Sequence, residues 1–235
     1  MTKNVILTGA SKGIGRATAI KLSQLNCNLA LISRDKTKLE ETKKICENNN
    51  IKCNIFTGDL TDVKFLNETS LQIIEIFNNK IDVLINNAGM AIFKNFLDIT
   101  YEDLIKQLNL NFVSLFLLTQ NVVPSMIKRN EGLIINISSL AGKNGFVEGT
   151  AYSATKHAVM GFSKSLMLEL RKYNIKVAAI CPGSTSTDMI LNTSMSPKSI
   201  DKILKPEDVA ETIAFLLSLT SRANVSEIDI RPTNP

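Results

Sequence analysis

Short apolar segments alternate with longer stretches of helical periodicity along almost the whole chain. Several of the short segments are continuously apolar, as parallel strands covered on both faces are. The strand segments are 5–8, 28–33, 52–57, 83–86, 133–138, 176–181 and 227–230. The helical segments are 14–25, 36–48, 62–78, 101–129, 152–172 and 206–219. This alternation predicts right-handed βαβ crossovers, and so an α/β fold: a Rossmann-like, doubly wound parallel sheet of about seven strands with helices on both faces.

Composition narrows the class of protein. The chain has 235 residues, of which 44 % are hydrophobic, enough for the core of a single domain spanning 1–235. No apolar run reaches the roughly 18 residues of a membrane span, and the first strand segment leaves no room for a signal peptide before it. We therefore expect a cytoplasmic protein without a membrane-spanning helix.

Charged residues and cysteines exclude two kinds of site. The net charge of +5 comes from scattered lysines and arginines, with no basic run interleaved with aromatic residues, which argues against nucleic-acid binding. Cys27, Cys46, Cys53 and Cys181 show no C-x-x-C spacing, and His157 is the single histidine. We expect buried, reduced thiols and no metal site.

A glycine-rich turn, "TGASKGIG", follows the first strand segment and opens the first helical one. Gly9, Gly13 and Gly15 allow a tight turn and a close approach of backbone to a ligand, and the N–H groups at the start of a helix attract an anion. In an open α/β sheet a pyrophosphate binds at this junction. An ordinary strand-to-helix turn is the alternative for this motif taken alone.

Five further motifs lie at the predicted carboxyl ends of strands or on helices facing them. They are "NNAG" at 86–89, "NLNF" at 109–112, "INISS" at 135–139, "YSATK" at 152–156 and "PGSTST" at 182–187. In their order and spacing, from Thr8 to about Thr187, they resemble the short-chain dehydrogenase/reductase family. The resemblance implies that the glycine-rich turn binds the pyrophosphate of a nicotinamide dinucleotide.

Tyr152 and Lys156 are four residues apart, so on a helix they share one face. A lysine cation beside a phenol favours the phenolate, and we expect it to lower the tyrosine pKa toward neutrality. The resemblance implies that Tyr152 is the general acid that protonates a carbonyl oxygen. It also implies that Lys156 holds the nicotinamide ribose.

Two more catalytic residues follow from the resemblance. Ser139, thirteen residues before Tyr152, matches the catalytic serine, and its neighbour Ser138 is the alternative. Asn111 matches the helix asparagine that helps to hold a proton-relay water in relatives, and Asn109 is the alternative. A hydroxyl at Ser139 is suited to hydrogen-bond a substrate oxygen as charge develops on it.

The resemblance also assigns a set of residues to the cofactor. They are Gly9, Ser11, Lys12, Gly13, Ile14, Gly15, Ser33, Arg34, Asp59, Leu60, Asn87, Ala88, Gly89, Tyr152, Lys156, Pro182, Gly183 and Thr187. Asp59 would accept a hydrogen bond from the adenine amine, although a helix N-cap is its alternative role. Thr187 would contact the nicotinamide carboxamide. Asn86 is open between a structural role and a ligand contact.

Residues after the second strand indicate the cofactor. Enzymes that prefer NAD usually place an acid there for the ribose 2′-hydroxyl, whereas this strand ends in Ser33 and Arg34, with Lys12 in the glycine-rich turn. These groups suit a 2′-phosphate. Asp35 has the spacing of the acid, but its place favours the N-cap of the next helix. The sequence therefore predicts NADP(H), with NAD(H) less favoured.

Mostly apolar side chains are candidates for the substrate pocket. They are Met90, Ile92, Phe93, Phe146, Val147, Met189, Ile190 and Leu191. Lys94 and Lys143 are candidates for a substrate carboxylate, and 184–205 is the predicted substrate loop. We expect hydride transfer between NADPH and a carbonyl or secondary alcohol on a small, mostly apolar substrate.

Alternative functions are a 3-oxoacyl-(acyl-carrier-protein) reductase and an NADP-binding regulator without turnover. The ending "ANVSEIDIRPTNP" differs from the Asp-Gly-Gly element of many oxoacyl reductases, which disfavours the first. The presence of Ser139, Tyr152 and Lys156 disfavours the second. Apolar helices at 101–129 and after Tyr152 resemble those that pair subunits in this family, so a homodimer or homotetramer is expected.

Overall fold

The computed structural model describes residues 2–191, 193–194, 196 and 199–234. Its strands are β1 (Asn4–Thr8), β2 (Asn28–Ser33), β3 (Cys53–Thr57), β4 (Val83–Asn86), β5 (Gly132–Ile137), β6 (Ile175–Pro182) and β7 (Glu227–Ile230). All pair in parallel, in one sheet of order β3-β2-β1-β4-β5-β6-β7. The order reverses between β1 and β4, which is where doubly wound sheets open a crevice at the carboxyl ends of their strands.

Helices cover both faces of the sheet. They are α1 (Gly13–Gln24), α2 (Lys36–Glu47), α3 (Val63–Ile76), α4 (Tyr101–Leu108), α5 (Ser114–Arg129), α6 (Thr150–Leu170), α7 (Asp188–Leu191) and α8 (Pro206–Ser218). Val5 and Leu7 of β1 pack in the apolar cluster on the side of α1, α2 and α8, whereas Ile6 packs with α3, α5 and α6. Strand residues alternate between the faces, so a nearly continuous apolar strand fills two cores. The predicted fold class is confirmed.

The segment 101–129, expected as one helix, contains a change of helical pitch. A π-helical turn at Asn109–Val113 separates α4 from α5. Such turns are often found at functional sites. By length and composition this stretch is apolar enough to cross a membrane, but half of its most apolar window is buried inside the protein. It is a core helix of this fold.

Polar residues fix the helix starts and the centre of the sheet. Asp35 caps α2 by accepting from the Lys38 N–H, as expected, and Asp62 caps α3 by accepting from the Lys64 and Phe65 N–H groups. The Asn86 amide is buried and donates to Thr119 Oγ1 at 3.0 Å and Asn136 Oδ1 at 2.8 Å. Its side chain therefore joins α5, β4 and β5, which gives it a structural role.

The predicted substrate loop is described in part. It contains the single turn α7, a 3₁₀ turn at Ile200–Lys202 and a bridge between Thr185 and Leu204. Positions 192, 195, 197 and 198 lie outside the described residues.

Candidate active site

A cleft of about 600 Å³ opens at the carboxyl ends of the strands, beside the switch between β1 and β4. All of the residues assigned to the cofactor from the sequence line it, although they come from six separate stretches of the chain. Tyr152 and Ser139 lie in the same cleft. Asn111 is buried behind its wall. The fold therefore brings the predicted cofactor and catalytic residues to one place.

The glycine-rich turn forms one end of the cleft and needs its glycines. Gly9 and Gly13 have φ angles of +69° and +52°, which side chains rarely adopt. A Cβ on Gly15 would lie 2.1 Å from the Gly9 carbonyl oxygen. Helix α1 begins at Gly13 without a side-chain cap, so its first N–H groups are available to an anion such as a pyrophosphate. The turn fits a dinucleotide.

Thr8, to which sequence reasoning gave no role, positions the turn against β4. Its Oγ1 accepts from the Asn87 and Ala88 N–H groups, each at 2.9 Å. The Asn87 amide in turn donates to the carbonyls of Thr8 at 2.9 Å and Gly9 at 3.4 Å. A threonine at the end of the first strand, directly before a glycine, is too common a pattern to reveal this contact.

Charged residues surround the region predicted for the 2′-phosphate, and each cation has an acidic neighbour. Arg34 Nη1 lies 3.5 Å from Asp59 Oδ2, and Lys12 Nζ lies 2.9 Å from Asp188 Oδ2. Ser11 and Ser33 share a hydrogen bond of 2.7 Å. The glycine-rich turn is thus joined to β2 by hydroxyls and to α7 by an ion pair.

Two carboxylates in this region are held in their charged form. Burial alone would raise the pKa of Asp59, but hydrogen bonds from Thr61 and the charge of Arg34 outweigh it and lower that pKa. A hydrogen bond from Lys12, with its charge, lowers the pKa of Asp188. A ligand phosphate here would therefore meet lysine and arginine side chains that already have carboxylate partners.

Tyr152 lies buried beside Ser139. The Ser139 side chain is near enough to act on the pKa of the phenol, and its Oγ donates to the Pro182 carbonyl at 3.4 Å. The Ser139 Oγ also accepts from the Ala141 N–H at 3.1 Å, which fixes the start of a 3₁₀ turn at Leu140–Gly142. Ser138 differs, because its hydroxyl is directed to the Lys156 carbonyl at 3.2 Å. Of the two serines, Ser139 is the one that reaches the tyrosine.

Lys156 is buried one helical turn after Tyr152. Its Nζ donates to the Ile137 carbonyl at 2.9 Å and lies 5.8 Å from the centre of the Tyr152 ring. Gly89 leaves room above it, since a Cβ there would lie 3.6 Å from the lysine Nζ and 3.3 Å from Asn111 Oδ1. The ammonium group and the Asn111 amide are therefore both neighbours of Gly89.

Asn111 lies in the π-helical turn, and both the oxygen and the nitrogen of its side-chain amide make hydrogen bonds. Its Oδ1 accepts from the Met90 N–H at 2.8 Å, and its Nδ2 donates to the Met90 carbonyl at 2.9 Å and to Thr155 Oγ1 at 3.0 Å. Asn111 thus ties the loop after β4 to α6. The wider turn of the π-helix accompanies this inward contact.

The pKa of Tyr152 shifts in the opposite direction from the one expected from the sequence. Burial raises it to about 12, and the neighbouring Ser139 side chain only partly opposes this. Lys156, whose Nζ lies 5.8 Å from the ring centre, is not among the causes of this shift, and burial lowers its own pKa to about 8, so it is still mostly charged at neutral pH. At neutral pH the phenol therefore carries its proton, as a general acid must.

The far wall of the cleft follows β6. Gly183 N donates to the Ile230 carbonyl at 2.8 Å, which fixes the chain after Pro182 against β7. Thr187 Oγ1 donates to the Thr185 carbonyl at 3.4 Å, and the Thr187 methyl lies near the α-carbon of Gly13. The wall thus meets the glycine-rich turn across the cleft.

Aromatic and apolar side chains line the substrate end. Met90, Phe93, Phe146, Met189 and Ile190 line the cleft, whereas Ile92, Val147 and Leu191 do not.

Both candidate lysines have acidic partners: Lys94 Nζ lies 2.6 Å from Asp103, and Lys143 contacts Glu227 and Asp229. His157 is exposed, with its Nδ1 2.8 Å from the Ser153 carbonyl one turn back along α6.

Comparisons with known proteins agree with this arrangement. A 3-oxoacyl-(acyl-carrier-protein) reductase of Aquifex aeolicus is 36 % identical, covering 91 % of this chain and 89 % of its own. A metagenomic short-chain oxidoreductase solved with NADP superposes with a TM-score of 0.86 at 29 % identity, over 99 % and 98 % of the two chains. An NAD⁺-bound xylitol dehydrogenase superposes at 0.89 with 25 % identity, over 98 % of each.

These relatives bind both forms of the nicotinamide cofactor, so similarity alone does not select one. The family model described as short chain dehydrogenase matches residues 3–197, which include the glycine-rich turn, Ser139, Tyr152 and Lys156. The match covers most of the sheet and all of the residues predicted to be catalytic. The chain is a member of the short-chain dehydrogenase/reductase family of oxidoreductases.

Proposed function

We propose that this oxidoreductase is an NADP-dependent carbonyl reductase, transferring hydride between NADPH and a ketone or secondary alcohol on a small, mostly apolar substrate. The observation that carries the proposal is the buried Tyr152 phenol. It lies beside Ser139 and is neutral at pH 7, in the same cleft as an uncapped helix N-terminus. That combination suits a proton donor placed beside a bound dinucleotide.

Four side chains have distinct roles in the proposed reduction. Bound NADPH would supply a hydride to the carbonyl carbon. Tyr152 donates its proton to the carbonyl oxygen, which completes the alcohol, and Ser139 stabilises the negative charge that develops on that oxygen. Lys156 then stabilises the tyrosine phenolate by its positive charge. Asn111 is a positioning residue that fixes the backbone of Met90 and the turn of α6 bearing Thr155.

Preference for NADP(H) rests on Lys12, Ser33 and Arg34. All three line the cleft, Lys12 within the glycine-rich turn and Ser33 and Arg34 at the end of β2. The Arg34 guanidinium is two-thirds exposed and lies 3.5 Å from its carboxylate, so it can turn to a phosphate at little cost. A fork of guanidinium donors matches a phosphate better than it matches a ribose hydroxyl.

A second candidate is reduction of a 3-oxoacyl thioester on an acyl carrier protein. The Aquifex aeolicus relative favours it by its identity and coverage. The same Ser139, Tyr152 and Lys156 would serve, because the reacting group is again a ketone. The two candidates differ in the size and chemistry of what extends from the carbonyl.

The test is oxidation of NADPH by the purified protein against a panel of carbonyl compounds: 3-oxoacyl thioesters, diketones, aldehydes, and aromatic and aliphatic ketones. We expect one class to be reduced, with one alcohol formed per NADPH consumed and with NADH much less effective. Tight NADPH binding without turnover of any carbonyl would contradict the proposal and favour a regulator that only binds the cofactor.

We also propose a cytoplasmic homodimer or homotetramer. All four cysteines are buried and unpaired, as suits a reducing compartment. The rings of Phe112, Phe116 and Phe162 pack together on the outer side of the π-turn, α5 and α6, and Phe116 is 41 % exposed. Light scattering after gel filtration tests this, and a monomer at micromolar concentration would contradict it.

A further inference from the structure

We infer that the substrate carries an uncharged aromatic or otherwise flat apolar group beside its ketone. This group lies against a wall formed by Phe93, Phe146 and Tyr152, in the cleft that Met189 and Ile190 also line. The inference rests on the proposed reductase function and names the class of substrate for the same site.

The wall is a continuous set of rings that ends at the proton donor. The Phe93 ring lies edge-on to Phe146, with centroids 5.9 Å apart and planes at 63°. It also lies edge-on to Tyr152, again at 5.9 Å, with planes at 76°. These are favourable aromatic geometries. A substituent on a ketone that accepts the Tyr152 proton therefore meets the Phe93 ring directly.

The loop that carries Phe93 is fixed from two sides. The buried Gln107 accepts from the Ile92 N–H at 3.0 Å through its Oε1. The Lys94 N–H donates to the Glu148 carbonyl at 3.1 Å. Phe93 is thus held between two bonded neighbours in the chain. A surface fixed before binding selects shape more sharply than a mobile one.

Gly149 sets the position of the second ring. A Cβ on Gly149 would lie 2.3 Å from the Phe146 ring, so the ring packs directly on the glycine backbone. Gly149 has an ordinary φ of −105°, so it is required for space and not for backbone freedom. The glycine therefore serves to bring the Phe146 ring close to α6, where it joins the wall.

Charge near the wall disfavours an anionic substrate. Lys94 and Lys143, the candidates for a substrate carboxylate, both have carboxylate partners. The cations that line the cleft itself, Lys12, Arg34 and Lys156, are the ones assigned to the cofactor and to Tyr152. The pairing of Lys143 with Glu227 and Asp229 raises its pKa, so it remains a partnered cation at any ordinary pH. A substrate carboxylate would have to displace one of these acids or lose its hydration without a partner, and both cost free energy.

Four ketones test shape and charge separately. Methyl 4-acetylbenzoate and methyl levulinate are neutral, one aromatic and one aliphatic, and 4-acetylbenzoate and levulinate are the matching carboxylates. Each acid differs from its ester mainly in charge remote from the ketone. We expect kcat/KM with NADPH to be about 100-fold higher for methyl 4-acetylbenzoate than for 4-acetylbenzoate, because a buried, unpaired charge is strongly rejected.

The ring contact is tested by Phe146→Ala, with Val147→Ala as the matched control. Val147 is 81 % exposed and does not line the cleft. We expect Phe146→Ala to lower kcat/KM about tenfold for methyl 4-acetylbenzoate, mainly through KM, and less than about threefold for methyl levulinate. Val147→Ala should change neither. NADPH affinity, measured by fluorescence, should stay the same in both variants.

Two results would overturn the inference while leaving the reductase function in place. One is equal or faster reduction of the carboxylates than of their esters. The other is an equal loss for the aromatic and aliphatic esters in Phe146→Ala. Failure of every ketone and aldehyde to oxidise NADPH is a different outcome, since it would overturn the reductase function and the substrate class together.

Discussion

The two ends of the cleft are built by different means. At the cofactor end the shape comes from backbone: two glycines with positive φ, a third packed against a carbonyl, and an uncapped helix start. At the substrate end it comes from side chains on three separate loops, among them Phe93, Phe146 and Met189. A site made of backbone needs particular residues at a fixed spacing, whereas a side-chain pocket admits many residue combinations.

The clearest way to break the cofactor end is Gly15→Ala. The new Cβ would lie 2.1 Å from the Gly9 oxygen and 2.7 Å from the Asn87 amide nitrogen, and neither backbone nor a bonded amide can move away freely. We expect a loss of roughly 3 kcal/mol or more in stability, with NADPH binding abolished. Thermal unfolding and NADPH fluorescence measure the two effects.

Gly161→Ala is the matched control, because a Cβ on Gly161 meets nothing within 4 Å. It lies in the middle of α6, where alanine is the better helix former. This variant should keep or raise the melting temperature. A Gly15→Ala protein that is as stable as wild type and binds NADPH would show that the turn is not sterically determined.

Arg34→Asp tests whether the cofactor end of the cleft selects NADPH over NADH. It removes a cation and adds a repelling carboxylate beside Asp59. We expect kcat/KM for NADPH to fall about 100-fold, while that for NADH changes less than about threefold. Lys44→Asp, an exposed change of equal charge on α2, should leave the ratio of the two cofactors unaltered. Parallel losses with NADPH and NADH would refute NADP selection by Arg34.

Burial of Lys156 makes the free energy of unfolding depend on pH. The pKa of Lys156 falls to about 8 on folding from 10.5, so between those pH values the unfolded chain binds more protons and the free energy of unfolding rises with pH. Tyr152, raised to about 12, acts with the opposite sign only above its ordinary pKa of 10.0. The lysine effect therefore dominates between pH 8 and 10.

Urea unfolding of wild type and Lys156→Met at pH 7.5 and pH 10 isolates this effect. Between these two pH values the free energy of unfolding of the wild type should rise by roughly 2 kcal/mol more than that of the variant. A difference between the two proteins that is constant with pH would mean that Lys156 keeps an ordinary pKa in the folded state.

The smallest expected effect is on NADPH affinity, and it comes from the ion pair between Lys12 in the glycine-rich turn and Asp188 in α7. Lys12 and Asp188 are 2.9 Å apart and both more than half exposed, so the pair contributes little to stability. Asp188→Asn leaves Lys12 without its carboxylate, and we expect NADPH to bind about two- to fivefold more tightly at low salt and NADH to bind unchanged. Glu207→Gln, at the exposed start of α8, is the control. Weaker NADPH binding in Asp188→Asn would show that the pair orders the cleft instead of competing for Lys12.

The sequence predicts this fold well because apolar periodicity and glycine spacing are local signals. All seven strands lie where the pattern places them, and Asp35 and Asp62 cap the helices that follow them. The π-turn around Asn111 is not predictable from the pattern, because an asparagine in an apolar helix shows neither its partner Met90 nor the pitch change that accompanies the contact.

Electrostatics and loop packing are also beyond the sequence. A tyrosine and a lysine four residues apart suggest a lowered tyrosine pKa, but burial of both groups depends on the whole fold and reverses the direction. Likewise, Lys94 and Lys143 are plausible anion partners in the sequence, and only the fold shows the acids that occupy them. Long-range partners decide the function of such side chains.

The most direct test of the account is Tyr152→Phe, which removes one oxygen atom and keeps the ring that Phe93 contacts. With the best ketone of the panel and saturating NADPH, we expect kcat to fall about 1,000-fold, because the proton donor is lost. NADPH affinity and melting temperature should stay close to the wild-type values. A Tyr152→Phe protein that reduces the ketone at the wild-type rate would contradict the account, because the cleft would then contain a different proton donor.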